Sequence, residues 1–307
     1  MKRGLKNSIV GTLLVVSACG QNGEQIQPDS EANQACVVEL VAEDFAADKL
    51  DPAAIEQSLS KLDFVIGREP ASQAIESILQ TDDPEESRLI LAQTLASVDL
   101  GLRLNELPGG GQGGHKIVDQ MMSGEDFKVW AATVVEFLSV LPKSLRDAAG
   151  LNVIYGVNGL ESGHVNNPAG TVDFEGGGLV VAIKVVNDDP AVIRKLTFRT
   201  MAHELTHLID YWQCDGLSAM THDEGFVRFM TSDDPVRVVE TKANAVKELF
   251  DGNYIFSFDD DAKLLEYKWQ QEMIRRLEMI EPNIKNLFIA MALERNARLA
   301  TAESGHN

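Results

Sequence analysis

Positive charge, cysteine and long apolar runs are all scarce in this 307-residue chain. Lys and Arg total 27 against 47 Asp and Glu, a formal net charge of −20. A surface of that sign repels nucleic-acid phosphates and anionic headgroups, which argues against a nucleic-acid partner. No segment beyond the N-terminus stays apolar for the roughly 20 residues that cross a bilayer. The run Pro108-Gly109-Gly110-Gly111-Gln112-Gly113-Gly114 lacks both the Gly-Lys-Ser/Thr ending and the preceding strand of a phosphate loop, and it reads as a connector. No internal repeat is present. Cysteine occurs only as Cys19, Cys36 and Cys214, and neither Cys36 nor Cys214 falls in a pattern that implies chemistry. What remains, 44% hydrophobic and 24% charged, is a globular composition long enough for one large domain or two modest ones.

The N-terminus differs from the rest. Lys2, Arg3 and Lys6 are followed by a short apolar run from Ser8 to Val16, then by the small pair Ser17-Ala18 and by Cys19. That is the layout of a secretory signal peptide. Val16-Ser17-Ala18-Cys19 also resembles a bacterial lipobox. The resemblance implies that residues 1–18 are removed and that Cys19 carries lipid, so that the mature protein is exported and membrane-anchored. Gly20, in place of Asp, points to the outer membrane. An ordinary cleaved signal peptide is the other reading of the same residues. Residues 19–36 are polar and aperiodic and read as a flexible tether. In an oxidising compartment Cys36 and Cys214 either pair as a disulfide or stay as two buried thiols.

Residues 37–107 read as a helical region. Asp51-Pro52 and Asp83-Pro84 each place a capping carboxylate before a proline at the first helical position, and Ile55, Leu59 and Leu62 recur on one face. Residues 115–255 carry a mixed pattern. Phe127 to Leu141 is an amphipathic helix stopped by Pro142. Leu151 to Gly156 is a short strand, and Leu179 to Val186 is a nearly continuous apolar, β-branched strand. Asp188-Asp189-Pro190 then starts a helix that runs to Trp212. Helices are predicted over Arg237–Phe250, Asp261–Glu278 and Pro282–Ala300, with residues 256–307 forming a C-terminal helical segment. The predicted class is α+β, mostly helical, with a small mixed sheet ahead of the helix that ends at Trp212.

That helix contains His203-Glu204-Leu205-Thr206-His207. Histidines four apart on a helix lie on one face with Cβ atoms about 6 Å apart, so both imidazoles can reach one cation. Glu204 lies beside the first histidine and can take a proton from a cation-bound water. A catalytic zinc site needs a third protein ligand and an open position. Six residues past His207 stands Gln213, a poor ligand. Downstream, Glu240-Thr241-Lys242-Ala243-Asn244 offers a carboxylate on a separate helix whose small Ala243 permits close approach. Asp223 and Glu224 are the other carboxylates within reach of the argument.

With these two motifs the chain resembles the gluzincins, the thermolysin- and neprilysin-like zinc peptidases, over roughly residues 178–250. The resemblance implies a zincin-like fold over residues 115–255, Zn2+ held by His203, His207 and Glu240, and hydrolysis of a peptide or protein substrate with Glu204 as general base. Asn244 stands where family members carry an Asp that orients a ligand histidine; an Asn accepts the same hydrogen bond without the charge. Asp210 either accepts from a ligand histidine or forms a structural ion pair. His222 and Tyr254 are candidates to stabilise the oxyanion. The strand before the histidine helix either borders the cleft, with Gly176-Gly177-Gly178 letting substrate approach, or is a buried central strand. The alternative to an enzyme is a non-catalytic surface lipoprotein of zincin fold, serving as a binding or structural module.

Overall fold

Aspartate-capped starts set the helical layers. The computed structural model describes residues 51–108, 115–118, 123–161, 169–183, 189–212, 235–257 and 260–304. Helix α1 (Pro52–Leu59) begins where Asp51 Oδ1 accepts from the Ala53 amide at 3.0 Å. Helix α2 spans Arg68–Gln80, and α3 (Pro84–Ala96) repeats the Asp-Pro start, with Asp83 Oδ1 accepting from the Glu85 amide at 2.9 Å. Each carboxylate satisfies an amide that the first helical turn leaves without a partner.

Strand β1 (Gly101–Leu104) corrects the all-helical reading of this region. Asp99 turns into the left-handed region at φ 56° and closes the helical segment, after which Gly101 to Leu104 pairs in parallel with β3 (Val153–Val157). A four-residue strand is too short to show a period of its own, so its pairing and not its pattern defines it. Strands β2 (Lys116–Ile117) and β4 (Leu160–Glu161) form a separate antiparallel pair. Helix α4 (Gly124–Val140) is capped by Ser123 Oγ, and a short α5 (Lys143–Ala148) follows Pro142.

The main sheet runs β1-β3-β6-β5, where β5 is Gly170–Asp173 and β6 is Gly178–Ala182. The first three strands are parallel; β5 is antiparallel to β6 and forms one edge. Strand β6 is therefore the buried central strand, fully covered along its length, and the cleft-bordering role falls away from it. The glycines before it have a local cause. Gly177 has φ +63°, and a side chain there would strike the Gly150 carbonyl oxygen at 2.0 Å. A side chain at Gly176 would strike Asp173. They build the turn between β5 and β6.

Helix α6 (Pro190–Trp212), capped by Asp189 Oδ1 on the Ala191 amide, lies against β5 and β6 on one side and against α4 and α7 (Pro235–Phe250) on others. Helices α8 (Asp261–Glu278) and α9 (Ile284–Ser304) close the chain, with α7 packed on α8. One cluster of buried side chains runs from Ile55 through Trp130, Phe137 and Leu205 to Phe288 and Ala292, so the N-terminal, central and C-terminal segments share a core. The architecture is α+β, mostly helical, with a small mixed sheet. No helix of the described residues is long and apolar enough to cross a membrane.

Candidate metal centre

Helix periodicity brings the motif together. On α6 the rings of His203 and His207 stand 4.8 Å apart and nearly perpendicular, with their Nε2 atoms 3.1 Å from each other. Helix α7, which packs along α6, delivers Glu240 to the same point. Its carboxylate oxygens lie 3.2 Å from His203 Nε2 and 3.6 Å from His207 Nε2. Among the described residues these three form the group whose ligand atoms converge, all within 4.8 Å of one another. Ala243, one turn past Glu240, is fully buried, in keeping with the close approach expected of it.

The spacing has a physical reading. Three donors on a tetrahedral ion with bonds of about 2.0–2.1 Å are about 3.3 Å apart. The 3.1 Å between the two imidazole nitrogens matches that figure, and Glu240 reaches them through different oxygens, Oε2 at 3.2 Å from His203 and Oε1 at 3.6 Å from His207. The donor set, two imidazole nitrogens and one carboxylate, is also that of a three-ligand catalytic zinc site. Glu240 is 51% exposed, so the centre opens to solvent on the α7 side.

Electrostatics follow burial. Glu204 is nearly enclosed, and desolvation pushes its carboxyl up to about 7; Glu240 adds to the rise and His203 opposes it. His207 is pushed down to about 4, first by burial and then by the positive fields of His203 and Lys242, with Glu240 opposing. Glu240 is held below the usual carboxylate range, chiefly by the hydrogen bond from His203. Comparisons with protein-family models, with curated proteins and with solved structures found no match to this chain. The case therefore rests on the geometry of the chain itself.

The remaining site residues divide. Asn244 is exposed, and its Oδ1 accepts from Lys247 Nζ one turn on, so its side chain turns along α7 and does not orient a histidine. Asp210 takes the ion-pair role: Lys242 Nζ lies 3.5 Å from its Oδ2. Tyr254 sits in the hydrophobic core against Phe256, its hydroxyl accepting from Gln271 Nε2 at 3.2 Å and its pKa raised by burial. His222, Asp223, Glu224, Cys19, Cys36 and Cys214 lie outside the described residues.

Two residues escaped sequence reasoning. Gly170 of the edge strand β5 stands against Glu204, and only the fold puts them together. Lys242 left a readable trace: it shares a helical stripe with Val246 and Leu249, both buried, and a charge on an apolar stripe signals a buried partner.

Proposed function

We propose that this chain is a zinc-dependent peptidase of the gluzincin kind, with His203, His207 and Glu240 as metal ligands and Glu204 as general base. The observation that carries the reading is the convergence of one donor atom each from His203, His207 and Glu240, all within 4.8 Å of one another. Two imidazole nitrogens facing each other at 3.1 Å beside a carboxylate form a set that one shared cation would hold together. A zinc ion held there supplies a polarised water of lowered pKa and a counter-charge for the oxyanion.

The chain's own groups do the rest. His207, deprotonated well below neutral pH, offers its lone pair with no proton to lose. Glu204 accepts the proton of the attacking water and delivers it to the leaving amine nitrogen. In the metal-free chain its pKa of about 7 matches a group that must both take and give a proton near neutrality. Among the described residues β5 is paired on one side only, and its Gly170 adjoins Glu204. An extended peptide adding to that edge has its backbone beside the general base. The N-terminal residues complete the reading as export through a signal peptide and anchoring through lipid on Cys19.

The test uses the full chain. Metal analysis is expected to give about one zinc per chain, and a peptide library is expected to be cleaved. Glu204→Gln is expected to keep the metal and lose cleavage. Zinc retention with no cleavage, and a Glu204→Gln variant that behaves as wild type in cells, moves the chain to the non-catalytic alternative. Incorporation of labelled palmitate, lost in Cys19→Ala, checks the anchor.

A further inference from the structure

We infer that the buried Lys242–Asp210 pair is a positioning device, which fixes the register of α7 on α6 and so holds the Glu240 carboxylate against His203 and His207. The inference rests on the zinc reading above and adds two residues to it. Asp210 lies three residues past His207 on α6, and Lys242 lies two residues past Glu240 on α7. Each helix that carries a metal ligand thus also carries one partner of the pair.

The position of Glu240 needs such a device. Its side chain is 51% exposed, and among the described residues its ion-pair partners are the two histidines with which it would share a metal. Its place therefore depends on where the α7 backbone lies. Metal–ligand bonds tolerate about 0.2 Å, whereas a slip of one residue along a helix is about 1.5 Å. Apolar contacts alone resist such a slip weakly. Ala243, Val246, Leu249 and Phe250 give α7 a buried stripe of non-directional contacts.

The pair supplies direction at the turn that carries Glu240; Arg199 of α6, paired with Glu248 of α7 and with Asp251 just past it, supplies it about two turns further on and closer to solvent. Lys242 is 1% exposed and Asp210 8%. Moving α7 by one residue would strip a buried ammonium of its carboxylate, which is far more costly than shifting one aliphatic contact for another. A buried ion pair is seldom retained for stability, since well-packed apolar side chains of similar volume hold helices together as well or better; fixing registry is its best-attested use. The contact is also loosely made: Nζ to Oδ2 is 3.5 Å, and the buried Asp210 Oδ1 has no hydrogen-bond partner among the described residues. A pair kept purely for strength would be expected to close both. On the far side, Arg276 of α8 is fully buried and bonded to Glu272 at 2.6 Å; Glu272 is shared with Arg275, so α8 turns net positive charge toward Lys242 and Asp210 is its counter-ion.

The test reads Co2+ affinity, the visible ligand-field spectrum of bound Co2+ and the melting temperature of the metal-free protein, all on the full chain. Asp210→Leu/Lys242→Met removes the pair and keeps the volume. It is expected to melt at or above the wild-type temperature, to bind Co2+ about tenfold or more weakly, and to lose the intense tetrahedral spectrum. Lys242→Arg, which keeps the pair, is expected to restore affinity and spectrum. Wild-type affinity and spectrum in the folded apolar variant overturn the positioning role. Should that variant fail to fold, Asp210→Asn/Lys242→Gln removes the charges at nearly constant shape and is judged by the same two outcomes. A wild-type chain that holds no Co2+ overturns the zinc reading and this one together, and is told apart from failure of the register alone because no variant enters that measurement.

Discussion

Gly170 stands against Glu204: a Cβ built on the glycine would lie 3.1 Å from the Glu204 Cγ and 2.4 Å from the Thr200 Cγ2. The absence of a side chain on the edge strand thus makes room for Glu204, the proposed general base. Gly170→Ala is expected to destabilise the fold by about 1–3 kcal/mol through overpacking and to lower peptide cleavage at least tenfold. The two effects are separable. Thr200→Ala in the same chain removes the closest methyl and is expected to return part of the stability, while the crowding of Glu204 and of the Val180 carbonyl, 2.8 Å from the added Cβ, persists. Denaturant melts that recover alongside an unrecovered cleavage rate would bear this out. Full recovery of both would place the fault in Thr200 alone.

Removing the metal is expected to lower the melting temperature without unfolding the chain. The buried cluster from Ile55 to Ala292 holds the helices and sheet together independently of the centre. Zinc at 1,000 times its dissociation constant adds about 4 kcal/mol by linkage, on top of a fold that exists without it. Calorimetry with and without a chelator checks the shift, and far-ultraviolet circular dichroism checks that helical content survives. His203→Ala, His207→Ala and Glu240→Ala are each expected to abolish the zinc-dependent part of the melt. Collapse of helical content on chelation would show instead that the ion is structural.

How much of this was legible in the sequence depends on the range of the interaction concerned. The helix starts were, because Asp51-Pro52, Asp83-Pro84 and Asp189-Pro190 write a local cap into neighbouring residues. The two histidines were, because four residues along a helix fix a distance. Glu240 needed a second helix, and it was found by resemblance to a pattern and not by any rule of spacing. Strands β1 and β5 were hidden because each is four residues long, too short to show a period; β1 is stabilised by a partner far along the chain, Val153 for Gly101, and β5 by turning back onto β6. The central place of β6 was equally unreadable: an apolar run fits an edge beside a cleft and a covered interior alike, and only β3 and β5 on its two sides decide.

The cap at the start of α6 offers a control remote from the chemistry. Asp189 Oδ1 accepts from the Ala191 amide more than a dozen residues before His203. Asp189→Ala is expected to cost about 1 kcal/mol of stability. Because the start of the helix frays without moving the turn that carries the histidines, zinc content and peptide cleavage are expected to stay at wild-type levels. A denaturant midpoint that falls together with zinc content would show that the helix transmits the disturbance over its length.

In the metal-free protein His207 and Glu204 oppose each other in their dependence on pH. His207 holds its proton only below about 4, against an ordinary 6.5, so between those values the unfolded chain binds a proton that the folded chain lacks and stability rises with pH. Glu204 keeps its proton up to about 7, against an ordinary 4.5, so over that window the folded chain holds the extra proton and stability falls as pH rises. Each difference corresponds to about 3 kcal/mol. The two slopes largely cancel between pH 4.5 and 6.5 in the wild type. Glu204→Gln removes the falling limb and leaves the rising one. The metal-free variant is therefore expected to match wild type near pH 4.5 and to exceed it by about 3 kcal/mol above pH 7, where the wild type bears the full penalty of a buried, ionised Glu204. Urea melts of the chelated proteins from pH 4 to 8 measure that excess, and a difference that stays flat across that range would show that Glu204 is solvated and not held in the enclosed setting described above.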